Sequence, residues 1–149
     1  MLLAYRLPRE PSAPRVTVWR KLRRLGVTQL VDGLVALPAD ARTREQLEWL
    51  ADEVVDADGE ATVWLGRLGS AAQERALAQR MADAVAVDYA AVASDAEAAA
   101  REPDVARRRT VARLRRELQR IGRRDFFPPA ERDGAHTAVE RLAATVSVP

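Results

Sequence analysis

Apolar residues change their spacing several times along the chain, and each change marks an element. Leu2 to Leu7 is a compact apolar run. Pro8, Pro11 and Pro14 cannot sit in a central strand, which predicts a short buried strand ending near Leu7. Ser12 is placed to cap a helix whose first turn accepts Pro14, because the missing N–H is unpaired there in any case. Val18, Trp19, Leu22 and Leu25 then recur at spacings of three and four, the period of one helical face, and Gly26 supplies the stop. Val27 to Val31 and Leu34 to Leu37 read as two strands turning at Asp32-Gly33, or as a single bent strand. Thr43 with Gln46 resembles a capping box that opens a helix to about Asp56, with Leu47, Leu50, Ala51 and Val54 inward. Asp58-Gly59 breaks it, and Ala61 to Leu68 reads as a further strand.

Beyond Gly69 the period is helical throughout. Ser70 with Gln73 gives a second capping signal, and Ala76, Leu77, Met81, Val85 and Tyr89 keep one face over an alanine-rich segment that must stop before Pro103. Asp104 is placed to cap the next helix, in which Val111, Leu114, Leu118 and Ile121 form the buried stripe up to Gly122. The connector Phe126-Phe127-Pro128-Pro129 is expected to plug the helical layer with its rings. A last helix follows from about Ala130 with Val139, Leu142 and Ala143 inward, Gly134 weakening its start. The order predicts an α+β protein: a ferredoxin-like βαββαβ half over residues 1–69, then a C-terminal helical hairpin and a last helix over 70–149, packed on it as one unit.

Composition narrows the chemistry more than the fold. The 149 residues are 48% hydrophobic and 31% charged, the balance of a folded soluble domain. Cysteine is absent and His136 is the single histidine, so neither a thiolate site nor a histidine metal cluster is expected. No Ser-His-Asp ordering, phosphate loop or glycine-rich nucleotide signature occurs, so no catalytic residue and no cofactor is assigned. No apolar run has the length of a membrane span, and Arg6 and Pro8 interrupt the start too soon for a signal peptide, so a cytoplasmic protein is expected.

The net charge of +2 conceals a segregation of charge along the chain. Arg6, Arg9, Arg15, Arg20, Lys21, Arg23 and Arg24 precede Val31 against the single acid Glu10, whereas Asp40 to Glu60 is strongly acidic. From Arg101 to Arg124 arginines dominate again, broken only by Glu102, Asp104 and Glu117. Lys21 is the only lysine. The guanidinium fork suits phosphates and other oxyanions, although coding rich in G and C gives the same composition.

Two clusters follow as candidate nucleic-acid or anion contacts. The first comprises Arg15, Arg20, Lys21, Arg23 and Arg24 on the first helix. They either neutralise phosphates or pair with the acidic helix Glu45 to Asp56 beside them. The second comprises Arg109, Arg113, Arg116, Arg120 and Arg123, spaced four, three, four and three to trace one stripe. Such a stripe repels itself unless an anion or acidic surface meets it, and Asp83, Asp88, Asp95 and Glu97 on the preceding helix are an internal candidate. Trp19, Trp49 and Trp64 each sit in an apolar pattern and are expected in the core rather than as base-stacking platforms. His136 is expected at the surface.

Four motifs carry a resemblance. Tyr5-Arg6-Leu7-Pro8, Arg15-Val16-x-Val18-Trp19-Arg20-x-Leu22-x-x-Leu25-Gly26, Asp32-Gly33-x-x-x-Leu37-Pro38 and Arg124-Asp125-Phe126-Phe127-Pro128 together resemble the N-terminal domain of the chromate resistance regulator family ChrB. The Arg-x-x-x-Trp-Arg helix from Arg15 to Arg20 and the Leu-Pro after a strand are also similar to the central domain of PaaX-type repressors. The resemblance implies a regulator of chromate resistance that binds promoter DNA. Members of that family typically continue into a second, C-terminal domain, which leaves open a separately encoded partner of that kind. The order of elements is also similar to that of the small ferredoxin-like CRISPR-associated nucleases, which place a metal-binding aspartate after a tyrosine at the end of the first strand. Arg6 stands at that place, and a guanidinium cannot hold a divalent cation, so nuclease activity is not expected.

The leading expectation is therefore a nucleic-acid-binding regulator, homodimeric because such a fold leaves exposed sheet edges. Its alternatives are a non-catalytic module docking an acidic protein surface and an accessory enzyme handling an oxyanion such as chromate.

Overall fold

A computed structural model describes residues 1–146. The first strand, β1 (Leu2–Arg6), stops short of Pro8 as the prolines require. Helix α1 (Ala13–Leu25) follows with a proline in its first turn. Ser12 holds the position before it without bonding its side chain to the helix, so the cap expected there is positional only. Gly26, at φ 82°, ends α1 in the left-handed conformation and returns its N–H to the carbonyl of Arg23.

Strands β2 (Thr28–Val31) and β3 (Leu34–Ala36) are distinct and antiparallel, with an irregular register between Gln29 and Val31. Gly33 closes their turn at φ 72°, and a Cβ there would lie 2.6 Å from the carbonyl oxygen of Tyr5. The turn therefore needs glycine twice over, for its backbone angle and for the close approach of β1.

Helix α2 (Ala41–Asp56) starts earlier than its sequence signal suggests. The Asp40 carboxylate accepts the Thr43 N–H at 2.7 Å, and the Asp40 N–H is donated to the Thr43 hydroxyl at 3.1 Å. The box is thus Asp40 with Thr43 rather than Thr43 with Gln46. These bonds hold the Asp40 carboxyl below its ordinary pKa. Strand β4 (Glu60–Trp64) is also shorter than the expected Ala61 to Leu68. It pairs with β1 from Arg6↔Glu60 to Leu2↔Trp64, and the ladder ends where β1 begins.

The sheet order is β2-β3-β1-β4 with every pair antiparallel, the ferredoxin-like arrangement. Leu3 lies opposite both Val35 and Val63, and Leu3, Val35, Val18, Leu22, Leu47, Leu50 and Val54 are buried. Ala36 opposite Leu2, and Trp64 beyond it, belong to the other sheet face.

The rest is helical: α3 (Ala71–Ala99), α4 (Asp104–Gly122) and α5 (Glu131–Ala144). Ser70 caps α3 through the Gln73 N–H at 3.3 Å. Pro103, not Asp104, holds the position before α4, and Asp104 in its first turn accepts instead from Arg107 and Arg108. The chain divides within α3 into two compact units, the first Met1–Ala78 and the second from Gln79 onward. The second has its own core, in which Val85, Tyr89 and Val92 of α3 meet Val111, Leu114, Leu118 and Ile121 of α4 and Ala135, Val139 and Leu142 of α5. Among the described residues no helix is long and apolar enough to cross a membrane.

Candidate nucleic-acid interface

In the first unit the basic cluster separates by position on α1. Val18 and Leu22 are buried, which turns Val16, Arg20, Arg23 and Arg24 to solvent at steps of three and four. Lys21 lies at the flank toward α2 and is bound there, donating to both carboxylate oxygens of Glu53 at 2.6 and 2.7 Å. Lys21 is thus paired internally. The pairing does not extend along the helix: Arg20, Arg23 and Arg24 make no ion pair with a described residue. Arg15 sits within electrostatic reach of Tyr5, whose phenol burial pushes above its ordinary pKa, with Asp32 adding to the rise and Arg15 opposing it. At the end of β1, Arg6 bonds Glu60 across the ladder at 2.9 Å.

The second cluster separates in the same way, with a cleaner division. The buried stripe of α4 fixes its orientation, so residues half a turn away are the most exposed. Arg113 leans toward α3 and donates to Asp95 at 3.0 Å. Arg115 leans toward α5 and holds Glu140 at 3.0 and 3.1 Å. Arg120 pairs with Glu117 one turn back. The crest between these flanks carries Arg109, Arg116 and, at the helix end, Arg123, all exposed and in no ion pair with a described residue. They follow one another every seven residues, so the row spans about 21 Å. Of the acids expected to absorb the stripe, Asp95 takes Arg113 and Asp88 takes Arg124 at 2.7 Å, whereas Asp83 accepts from Gln79 within its own helix.

Three features have no counterpart in the sequence reading or run against it. The tryptophans are not core residues: Trp49 is 62% exposed, Trp64 57% and Trp19 37%. Their period matches an apolar face, but Leu47, Leu50 and Val54 already fill the inward arc of α2, Leu22 and Val18 that of α1, and Trp64 falls on the sheet face opposite Leu3. Nor do both connector rings plug the second core, since Phe127 is exposed and Phe126 half-buried.

That connector is held by polar contacts instead. Asp125, with its side chain 2% exposed, accepts the Tyr89 hydroxyl at 2.9 Å, and Arg132 approaches the same carboxylate at 4.0 Å. Burial first, and then Asp125, pushes the Tyr89 phenol up to about 12. The other carboxylate oxygen of Asp125 is buried without a hydrogen-bond partner among the described residues. His136, exposed as expected, places its ring 6.4 Å from that of Tyr89. A tyrosine in one helix and an aspartate 36 residues later leave no local signal that they meet.

Among the described residues no group of three or more acidic or histidine side chains is placed to hold a metal ion. What the site offers is a row of guanidinium groups on a rigid helix, which neutralises anions without covalent chemistry. Residues 15–147 match the family described as Protein ChrB, N-terminal. No curated protein and no solved structure matches the chain.

Proposed function

The chain belongs to the ChrB N-terminal family, and from that premise we propose that it is a chromate-resistance regulator which binds DNA through the crest of α4. The observation that carries this reading is the division of labour among the α4 arginines. Arg113 and Arg115 are spent on Asp95 and Glu140, while Arg109, Arg116 and Arg123 face solvent and form no ion pair with a described residue. An exposed helix fits the major groove of B-DNA, which is about 12 Å wide. A row of guanidinium groups along it neutralises phosphates and releases their counterions. Arginine also reads guanine by paired hydrogen bonds, which gives the same residues a route to sequence preference.

The test is fluorescence anisotropy on the duplex upstream of the chain's own gene and on a scrambled duplex, each at two salt concentrations. Tight binding to the first, weakened steeply by salt, is the expected result. Replacing Arg109, Arg116 and Arg123 together by alanine flattens the slope of log affinity against log salt by about 2.7, one phosphate contact for each. Binding in the micromolar range or weaker without preference for the upstream duplex removes the regulatory reading. Unchanged affinity in the triple variant removes the crest as its surface. A stoichiometric acidic protein partner with no DNA shift replaces it with a docking module.

A further inference from the structure

The helical layer of the first unit presents two faces of opposite sign side by side. On α1 the outward positions are Val16, Trp19, Arg20, Arg23 and Arg24, and the helix contains no acid. On α2 the first turn carries Arg42 and Arg44, the latter paired with Glu48, and from there on the outward positions are Glu45, Glu48, Trp49, Asp52, Val55 and Asp56. One pair, Lys21 with Glu53, crosses the seam, and beside it Arg24, Leu25, Gln46, Trp49 and Leu50 line a shallow open groove. Lys21 lies level with Glu53, and Arg24 and Leu25 with Gln46 and Trp49, so the two helices run antiparallel. The layer also carries four large exposed apolar side chains, Trp49, Val55, Val16 and Trp19. A single exposed valine needs no explanation, but two tryptophans and two valines on one helical layer mark an interaction surface.

The charges decide what covers it. A polyanion matches α1 and is repelled by Glu45, Asp52 and Asp56 of α2. A basic ligand matches α2 and is repelled by Arg20, Arg23 and Arg24 of α1. Only a partner carrying both signs side by side satisfies the whole face, and a second copy of the chain carries them by symmetry. We propose that this layer is a self-complementary dimer interface with its twofold axis along the α1–α2 seam. Rotation about that axis sets the basic α1 of each protomer over the acidic α2 of the other and closes Trp49, which lines the groove, into the centre, with Trp19 at the outer flank of α1. A twofold axis across the helices would instead stack α1 on α1. The inference stands on the first unit alone and does not depend on DNA binding by α4.

Sedimentation velocity on the full chain at micromolar concentrations tests it. The expected species is a dimer that dissociates as salt is raised. Arg20→Glu with Arg23→Glu reverses the outward charge of α1 at Arg20, Arg23 and Arg24, so that it faces the acids of α2 with like sign, and Asp52→Arg with Asp56→Arg reverses that of α2 at Glu45, Asp52 and Asp56 in the same way. Each variant is expected to be monomeric, and an equimolar mixture of the two is expected to form a one-to-one heterodimer. Trp49→Ala, which alters no charge, weakens the wild-type dimer about tenfold or more, as expected for a central aromatic anchor. A monomeric wild type, a dimer indifferent to both charge reversals and to Trp49→Ala, or a mixture that stays monomeric overturns the proposal. Loss of DNA binding on Arg20→Glu with Arg23→Glu in a chain that is monomeric throughout also overturns it, and hands the face to nucleic acid.

Discussion

Helices α1 and α4 are built to the same plan and end in different situations. Each buries one apolar stripe, anchored by Leu22 in α1 and Leu114 in α4, and each carries arginines over the remaining arc. In α4 the neighbouring helices hold acids at both flanks, so Arg113 and Arg115 are bound sideways and a narrow crest is left purely basic. In α1 one neighbour is acidic and takes a single cation, Lys21, while valine and tryptophan interrupt the exposed arc. A purely basic crest suits a polyanion, and a basic helix beside an acidic one with Trp49 in the groove between suits a protein surface of the same kind. The difference lies in the neighbours of each helix, not in its own arginine content.

The largest effect expected on this comparison is loss of the anchor itself. Leu22→Ala and Leu114→Ala each remove a fully buried side chain and should cost about 2–5 kcal/mol, read from urea unfolding followed by circular dichroism. A cost below about 1 kcal/mol at either site would show that the arc opposite it is not oriented by packing, and would break the parallel between the helices.

A smaller effect is expected at the connector behind α4. Tyr89→Phe leaves both oxygens of buried Asp125 without a hydroxyl donor, a loss of about 1–3 kcal/mol. Its pH dependence has a definite sign. A folded-state pKa raised to about 12 stabilises the protein fully below the unfolded value, and that contribution is lost as pH rises through the folded one. Wild type should therefore lose stability between about pH 10 and 12 by a component that Tyr89→Phe lacks, visible as a shallower alkaline limb in the variant. Identical alkaline limbs would show that Tyr89 titrates as an ordinary phenol.

The smallest effect separates flank from crest. Arg113→Ala gives up an exposed ion pair and should lower stability by about 0.2–1 kcal/mol, whereas Arg116→Ala should leave stability nearly unchanged and act on ligand affinity instead. Equal stability costs at the two positions would place Arg116 in an interaction within the protein, and the crest would then not be free.

Much of the fold is written locally. The prolines after Leu7, Gly26, Asp32-Gly33 and Asp58-Gly59 are chain-breaking residues whose effect needs no distant partner, and they locate the elements of the first unit to within a residue or two, except that β4 stops four residues short of Leu68. The periodic stripe of α4 appears as predicted, with Val111, Leu114, Leu118 and Ile121 all buried. The helix start at Asp40 was displaced because two overlapping capping signals compete, and the carboxylate at Asp40 satisfies the Thr43 N–H with a short bond. The candidate site was legible as two arginine runs and no further.

Sequence alone thus determined the order of elements, the buried stripe of α4, the segregation of charge and the family to which the chain belongs. Tertiary structure decided which side chains were left over. Each helix can bury only one arc, so Trp19 and Trp49, apolar but off that arc, stay in solvent. A guanidinium is neutralised only by an acid within about 4 Å, and whether one lies there depends on which helix packs alongside. That is why Lys21 meets Glu53 and Arg113 meets Asp95, while Arg116, three residues further along the same stripe, faces solvent.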